Sequence, residues 1–465
     1  SSADPTVPRS TLHAIQVLSS LEWDQRCTFL LASELFPEIP LERCLKSQGL
    51  ANKHIAQGIS ATFGSKWKAE ILRFANTVSK LGAKNAGFFV ISPYLPRWFE
   101  IRLHLALKQF PQVWRLDSEP KALAIDRSAR EQLRTNFLNQ DFGDEVDLYG
   151  FLSNRLFENI PTSFIEGFRD LGCIPSKLGW PRSPRTIFTS NRFDTDDIFK
   201  KYVVLQKRTG ARYVVGQHGN NYGTLKWMTP AIEEETADVF LSWGWANAIG
   251  NAKPSFILKM AGVRLKPSRR GGVLLIQTNL QPGSEVADPF KTHFEYLRSQ
   301  KLFLETLNPN IASAVKLRLH SGSNSFGWSD REYWAENGQL DKISGKSRKI
   351  YKAFRESSLV VHSYDSTGIL ETLAQNIPTL AFWVGGFEHL TDEAASDYQS
   401  LSKVGIIQSD AVSAASHINE VWCDLDRWWF SEEVQQARSN FVAKYARLSS
   451  NPMAELLGSL GPSAH

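Results

Sequence analysis

The stretch SLVVHSYDSTGILETLAQNIPTLAFW, Ser358 to Trp383, restricts the fold more than any other part of the chain. Leu359, Val360 and Val361 make a short apolar, β-branched run of the kind that buried parallel strands use. A helix follows at once. Gly368 to Gln375 carries apolar residues at helical spacing, Ser366 or Thr367 can cap it, Asn376 is a stop and Pro378 lies just beyond. Thr379 to Phe382 then reads as a second strand. The loop His362 to Gly368 therefore sits at the carboxyl end of a strand and at the start of a helix. Unpaired backbone N–H groups and the helix dipole favour an anion there, typically a phosphate. Ser363, Ser366 and Thr367 add uncharged donors. The same residues also serve as ordinary caps and turn formers, and the pattern leaves both roles open.

Strands and helices alternate elsewhere too, which implies parallel sheets. Strands are expected at Ala86–Ser92, Thr186–Ser190, Tyr213–Gln217 and Val239–Trp243. A basic, Pro-containing hinge runs from Arg264 to Gly272. Beyond it, strands are expected at Val273–Gln277, Val315–Leu319, Leu359–Val361, Thr379–Phe382 and Gly405–Ile407. Helical periodicity marks Ser10–Ala32, Trp67–Leu81, Pro96–Leu107 and an amphipathic tail, Ser431–Leu448. The expected fold is α/β: two Rossmann-like domains facing a cleft, with extra N-terminal helices. Residues 1–265 would form an acceptor-side domain with helical additions and 266–430 a nucleotide-donor domain. Residues 431–465 would form a helix packing back on the first domain.

A chain of 465 residues is too long for one ordinary core. With 42% hydrophobic and 22% charged residues, disorder is not expected. No run approaches the roughly 18–20 apolar residues of a membrane span, and no signal-peptide pattern opens the sequence. The four cysteines, Cys27, Cys44, Cys173 and Cys423, lack metal-site spacing and read as free thiols in a reducing cytoplasm. The net charge of +5 suits an anionic donor or a membrane surface, and no polybasic block argues for nucleic acid. Fourteen tryptophans serve core packing, and sugar clefts also use indole faces.

Ligands of open α/β sheets bind beyond the carboxyl ends of the strands. The residues there are Asn191, Arg192 and Asp194; Gln217, His218, Asn220, Asn221 and Tyr222; Trp245; Gln277 to Asn279; His320 and Ser321; and His362 to Gly368. Nearly every strand end is polar, Gly-rich or ionisable. The sequence has no GxxxxGK[ST] phosphate loop, no GxGxxG after a strand, no GxSxG and no HExxH. Group transfer from a nucleotide-activated donor fits what remains. Lys316, Arg318, His320, Ser321 and the loop Ser363, Tyr364, Asp365, Ser366, Thr367 and Gly368 are candidates for the donor's phosphate. Lys316 and Arg318 alternate with Leu317 and Leu319, so both point to one face. A buried face holding two cations favours an anionic ligand. His218 or a carboxylate would deprotonate the acceptor. Carboxylate candidates are Asp194, Glu234, Glu235, Asp330 and Asp365. Of Glu233, Glu234 and Glu235, one is expected to point into the cleft. Asn191, Arg192, Gln217, Asn220, Asn221, Tyr222 and Trp245 are candidate substrate contacts.

Several motifs together resemble a known family. They are Ser190-Asn191, Gly216 to Gly219 with Tyr222-Gly223, Trp243-Gly244-Trp245, Ser363 to Gly368 with Asn376 to Thr379, and Tyr94 to Glu100 with Gln109 to Trp114. Over most of the chain they resemble transferases encoded among bacterial O-antigen genes. That family is similar to GT-B glycosyltransferases, and in particular to the retaining β-Kdo transferases that use CMP-Kdo. The resemblance implies a GT-B-like fold, a CMP-sugar donor and a glycan or lipid-linked glycan acceptor; the cysteines and the missing signal pattern point to the cytoplasm, and the net charge leaves peripheral membrane association open. The resemblance also implies a carboxylate nucleophile. No Asp-x-Asp follows a strand end in the donor-side domain, and a CMP leaving group has one phosphate to neutralise, so no cofactor and no metal are expected. More distantly the Gln-His-Gly and Ser-rich loops resemble teichoic acid polymerases that use CDP-glycerol, and sialyltransferase-like enzymes with a His-Pro motif. Here Ser321, not Pro, follows His320, so a His-Pro role does not carry over simply. A phosphotransferase of the CDP-glycerol type and a non-catalytic assembly subunit are the rival readings.

Overall fold

A computed structural model describes residues 9–11, 77, 83–112, 120, 123–138, 157, 159–278, 293–320, 329–344, 349–383 and 385–461. The expected helices Ser10–Ala32 and Trp67–Leu81 lie almost wholly outside the described residues, as do Cys27, Cys44, Asn279 and Ser321.

In chain order the elements used below are β1 (Phe88–Val90), α1 (Arg97–Ala106), α2 (Arg127–Leu138), β2 (Thr186–Thr189), α3 (Asp197–Lys207), β3 (Arg212–Gly216), α4 (Ile232–Thr236), β4 (Val239–Ser242) and β5 (Ala252–Pro254). They continue with β6 (Val273–Ile276), α5 (His293–Thr306), β7 (Val315–Arg318), α6 (Asp330–Glu336), α7 (Ile350–Glu356), β8 (Leu359–His362), α8 (Thr367–Ala374), β9 (Thr379–Phe382), α9 (Asp392–Lys403), β10 (Ile407–Gln408), α10 (Ala411–Val421) and α11 (Glu432–Tyr445). The strands form two five-stranded sheets, ordered β1-β2-β3-β4-β5 and β10-β9-β8-β6-β7. The pairings β3–β4 and β4–β5 are parallel. The second sheet is parallel throughout. This is the GT-B-like α/β architecture that the alternation implies. β5 was not expected: it is short, ends at Pro254 and lies at a sheet edge, where a missing N–H is tolerated.

The chain divides into two compact units. The first comprises Ser1–Ser92, His104–Ile187 and Arg192–Arg212; the second comprises Pro93–Leu103, Phe188–Asn191 and Tyr213–His465. Within the first, Phe89, Trp180, Phe199 and Tyr202 interlock, with ring centroids 5.1–6.5 Å apart. Arg130 of α2 pairs with Glu166 and also donates to the carbonyls of Phe157 and Ile160, so the buried guanidinium is fully engaged.

In the second unit the pleat sorts the side chains. Val273, Leu275, Val315, Leu317, Leu359, Val361, Leu380 and Phe382 meet Phe303 of α5, Trp334 of α6 and Ile418 of α10 in one core. Phe303 stacks on Phe382 at 5.1 Å. The alternate residues, among them His362, face α8, which α11 covers in turn. Past α11 the chain is pinned by Arg447, whose N–H donates to the Trp243 carbonyl and whose carbonyl accepts from Ile257. Renumbered from β6, the strand order is 2-1-3-4-5, and the order reverses between β6 and β8. Doubly wound sheets bind ligands beyond that reversal. The residues there belong to the loop after β8.

Candidate active site

The loop after β8 is shaped by one buried histidine. His362 is fully buried, and burial depresses its pKa to about 3, so its ring is neutral. Its Nδ1 lies 3.1 Å from Ser366 Oγ and its Nε2 3.4 Å from Thr372 Oγ1. Ser366 occupies the N-cap position of α8, yet its side chain makes no capping bond because it turns to His362 instead. No acidic residue lies in the first turn, and the amides of Thr367 and Gly368 bond to no described residue. Gly368 is required by space: a Cβ there would lie 2.5 Å from His362 Cε1. The helix start is therefore open, not self-capped.

The loop after β3 closes on it. The Asn220 N–H donates to Thr367 Oγ1 at 3.0 Å, and Asn220 Nδ2 donates to Asp365 Oδ1 at 2.7 Å. Asp365 also accepts from Tyr398 Oη at 3.1 Å, and His389 Nε2 lies 3.6 Å from its other oxygen. Between the loops is a cavity of about 420 Å³ lined by Tyr94, His218 to Tyr222, Met228, Lys259 and Tyr364 to Gly368. That is within the range of about 300–1,000 Å³ usual for small-molecule sites.

His218 lines this cavity. Its Nδ1 lies 3.1 Å from Tyr222 Oη, which in turn makes a short hydrogen bond to Glu233 Oε1. Tyr222 has one proton, and the carboxylate takes it. Tyr222 Oη then accepts from Nδ1–H, which orients the ring. Tyr94 stands edge-on to the His218 ring, 5.8 Å between centroids. It holds φ +58°, an unusual conformation for a non-glycine residue. Asn221 is likewise held at φ +78°, and its buried Oδ1 has no hydrogen-bond partner.

The full cation of the cavity wall is Lys259. It pairs closely with Glu371 of α8 and lies 5.9 Å from the Tyr94 ring centre. Burial pushes the Glu371 carboxyl upward against the pull of Lys259.

Other expected site residues lie elsewhere. Lys316 is exposed and Arg318 half-buried, because β7 is an edge strand and not an interior one; neither lines the cavity, nor does the exposed His320. Ser363 is buried and bonds to the Ile276 carbonyl and Tyr296 Oη. Gln217 is a buried staple: its Oε1 accepts from the Trp243 amide and from Trp245 Nε1, and its Nε2 donates to Gly219 O. Trp245 packs over Gly223, where a Cβ would come within 2.8 Å of the indole. Glu234 is buried and held by Asn247, whereas Glu235 is exposed. Glu233 is the acid of the three that reaches the histidine relay. Asp194 is exposed on the Arg192–Thr195 turn of the first unit, where Arg192 pairs with Asp196 at 2.6 Å. Asn191 is half-buried and outside the cavity lining. Asp330 is buried against His293 Nε2 at 2.6 Å. Lys259, Met228 and Tyr94 line the cavity without an expectation from the sequence, and Glu233, not Glu234 or Glu235, meets Tyr222.

The sequence model of the LIC12162 family transferases matches residues 2–460. The chain belongs to this family. No curated protein matches this transferase in sequence. Among solved structures it is similar to the wall teichoic acid polymerase TagF, with 11% identity over 85% of this chain and 94% of that one, and a TM-score of 0.41. It is also similar to MurG of Acinetobacter baumannii, with 11% identity, 84% and 94% coverage and a TM-score of 0.37. The pneumococcal O-GlcNAc transferase GtfA in complex with UDP and GlcNAc is matched at 12% identity and a TM-score of 0.38, over 62% of this chain and 59% of that one. Among the described residues of the transferase, no helix is long and apolar enough to cross a membrane.

Proposed function

We propose that this transferase moves Kdo, or a related acidic sugar, from a CMP-activated donor to a bacterial surface-polysaccharide acceptor. One observation carries the reading. A single cavity has the open amides of Thr367 and Gly368 and the Lys259 ammonium for a phosphate, together with His218, bonded to Tyr222, for a hydroxyl. The acceptor oxygen attacks the anomeric carbon, the bond from that carbon to the CMP phosphate breaks, and CMP leaves with the electron pair. His218 Nε2 takes the acceptor proton. The helix N-terminus and Lys259 stabilise the charge that develops on the phosphate.

The electrostatics favour a monophosphate leaving group. Of the lining residues Lys259 is the full cation, and Glu371 already offsets it. A diphosphate would bring more negative charge than this wall answers without help. Activity is accordingly independent of divalent metal. The retaining course implied by the family resemblance needs a carboxylate that attacks the sugar. Asp365 is the carboxylate in the lining, and Asn220 and Tyr398 already engage it. We therefore assign a single displacement with His218 as base, which inverts the anomeric centre.

The test is a thermal-shift panel of CMP, CDP, UDP, GDP and ADP. A ligand at a hundredfold excess over Kd stabilises the folded state by about 2.7 kcal/mol. CMP is expected to raise the melting temperature most. A preference for UDP or GDP would overturn the cytidine assignment, and phosphodiester products would move the reaction to phosphotransfer.

A further inference from the structure

A second cavity, of about 610 Å³, is lined by Val263, Arg264, Leu265, Lys349, Tyr351, Lys352 and Arg355. Its chemistry is two-sided. Val263, Leu265 and the Tyr351 ring supply apolar surface, and four cations surround them. Among the described residues, no ion pair joins Arg264, Lys349 or Arg355 to a carboxylate. Lys352 meets only Glu356, at 3.7 Å and in solvent. Arg264 instead donates to the carbonyls of Val263 and Ser449. The wall is firmly built: Gln375 accepts from the Leu265 amide at 2.8 Å and donates to the Val263 carbonyl at 3.2 Å.

Two neighbours give the cavity direction. On one side, the Gln375 of this wall also donates to Met260 Sδ at 3.4 Å, and Met260 directly follows Lys259 in the chain. Lys259 lines the first cavity together with Tyr94. On the other side, the Trp98 ring approaches within 2.6 Å of where a Gly262 Cβ would stand, beside Val263. Trp98 is 46% exposed and Ile101, one turn along α1, is 41% exposed. They extend the apolar surface outward from the cationic cavity. Arg102 lies over the Trp98 ring at 5.7 Å.

We infer that this second cavity binds the phosphate of a lipid-linked acceptor, with its hydrocarbon chain lying along Trp98 and Ile101. The assignment rests on the sugar-transfer reading of the first cavity, since it places the acceptor beside the donor. A free anion would leave the apolar surface unused, and a neutral lipid would leave four cations unanswered.

The probe is farnesyl phosphate in nonionic micelles, compared with farnesol and with inorganic phosphate, each read by equilibrium binding. Farnesyl phosphate is expected to bind at least tenfold more tightly than either control. Each cation near an anionic lipid is worth about fivefold, so Arg264→Ala with Arg355→Ala should weaken farnesyl phosphate binding about thirtyfold. CMP affinity should not change. Trp98→Ala should weaken farnesyl phosphate and leave inorganic phosphate unaffected. Equal binding of farnesol, or of phosphate alone, would overturn the inference. So would equal loss of vesicle binding to phosphatidylglycerol and to farnesyl phosphate, which would make the surface a general bilayer contact. If the double variant unfolds, Lys349→Ala with Lys352→Ala, both exposed, serves instead. Failure of CMP to bind the native protein would sink the donor reading; normal CMP binding with no farnesyl phosphate selectivity would sink this one alone.

Discussion

Replacing Tyr222 by Phe removes one oxygen and breaks the relay between Glu233 and His218. The ring remains, so its packing on Phe240, 5.3 Å away, is preserved. Two hydrogen bonds go: the short one to the Glu233 carboxylate and the 3.1 Å contact to His218 Nδ1. A hydrogen bond to a charged group is worth about 1.5–3 kcal/mol, and here its loss frees the His218 ring to reorient. At about 1.4 kcal/mol per decade, kcat should fall about tenfold to a hundredfold. General-base catalysis as a whole contributes about 10²–10⁴, so His218→Ala should cost more. Glu233 is half-buried and can rehydrate, so folding should lose only about 1 kcal/mol, or about 1–2 °C in Tm for a chain of this size. The assay is transfer from a CMP-sugar under saturating donor, with donor KM measured alongside. KM should stay within about twofold, and the double variant should be no slower than His218→Ala, because the residues act as one unit. If Tyr222→Phe kept full kcat while His218→Ala abolished it, the relay would be only structural.

Three further outcomes follow from the same geometry. Thr367→Ala removes the acceptor of the Asn220 amide and should weaken CMP binding about tenfold, with Tm changed by only a few degrees, measured by calorimetry on the same sample. Lys259→Met strands a buried Glu371 carboxylate and should cost about 3–5 kcal/mol, with Lys259→Met/Glu371→Leu recovering much of it. Because the Glu371 pKa is already raised by burial, the folded single variant binds the extra proton. Its stability should therefore rise as pH falls from 7 towards the unfolded carboxylate range, and drop as pH climbs through the raised value, as denaturant melts at several pH values would show. Activity in EDTA should match that without it; loss restored by Mg²⁺ or Mn²⁺ would refute the metal-free phosphate site.

The sheets were legible because buried parallel strands announce themselves as short apolar runs, and nine of the ten, all but β5, begin or end within two residues of the expected positions. The strand-end loops were legible for the same reason: once Leu359 to Val361 is a strand, Ser366 to Gly368 must start the next helix. What the sequence could not convey was facing. Glu233, Glu234 and Glu235 are chemically alike, and only tertiary contacts decide that Asn247 takes Glu234 while Tyr222 takes Glu233. Gln217 and Trp245 stand at strand ends like ligand contacts, yet they bind each other. Lys316 and Arg318 looked buried because strand position within a sheet is not encoded in a period of two; β7 proves to be an edge. Lys259 sits in a short 3₁₀ turn, Leu258–Met260, with no periodic signal to mark it.

The central claim is that the donor's phosphate rests on the start of α8, facing His218. A crystal structure of the CMP complex tests it most directly. Phosphate oxygens are expected about 2.7–3.2 Å from the amides of Thr367 and Gly368, with Lys259 beside them. A phosphate held instead at the end of β7, by Lys316, Arg318 or His320, would contradict it.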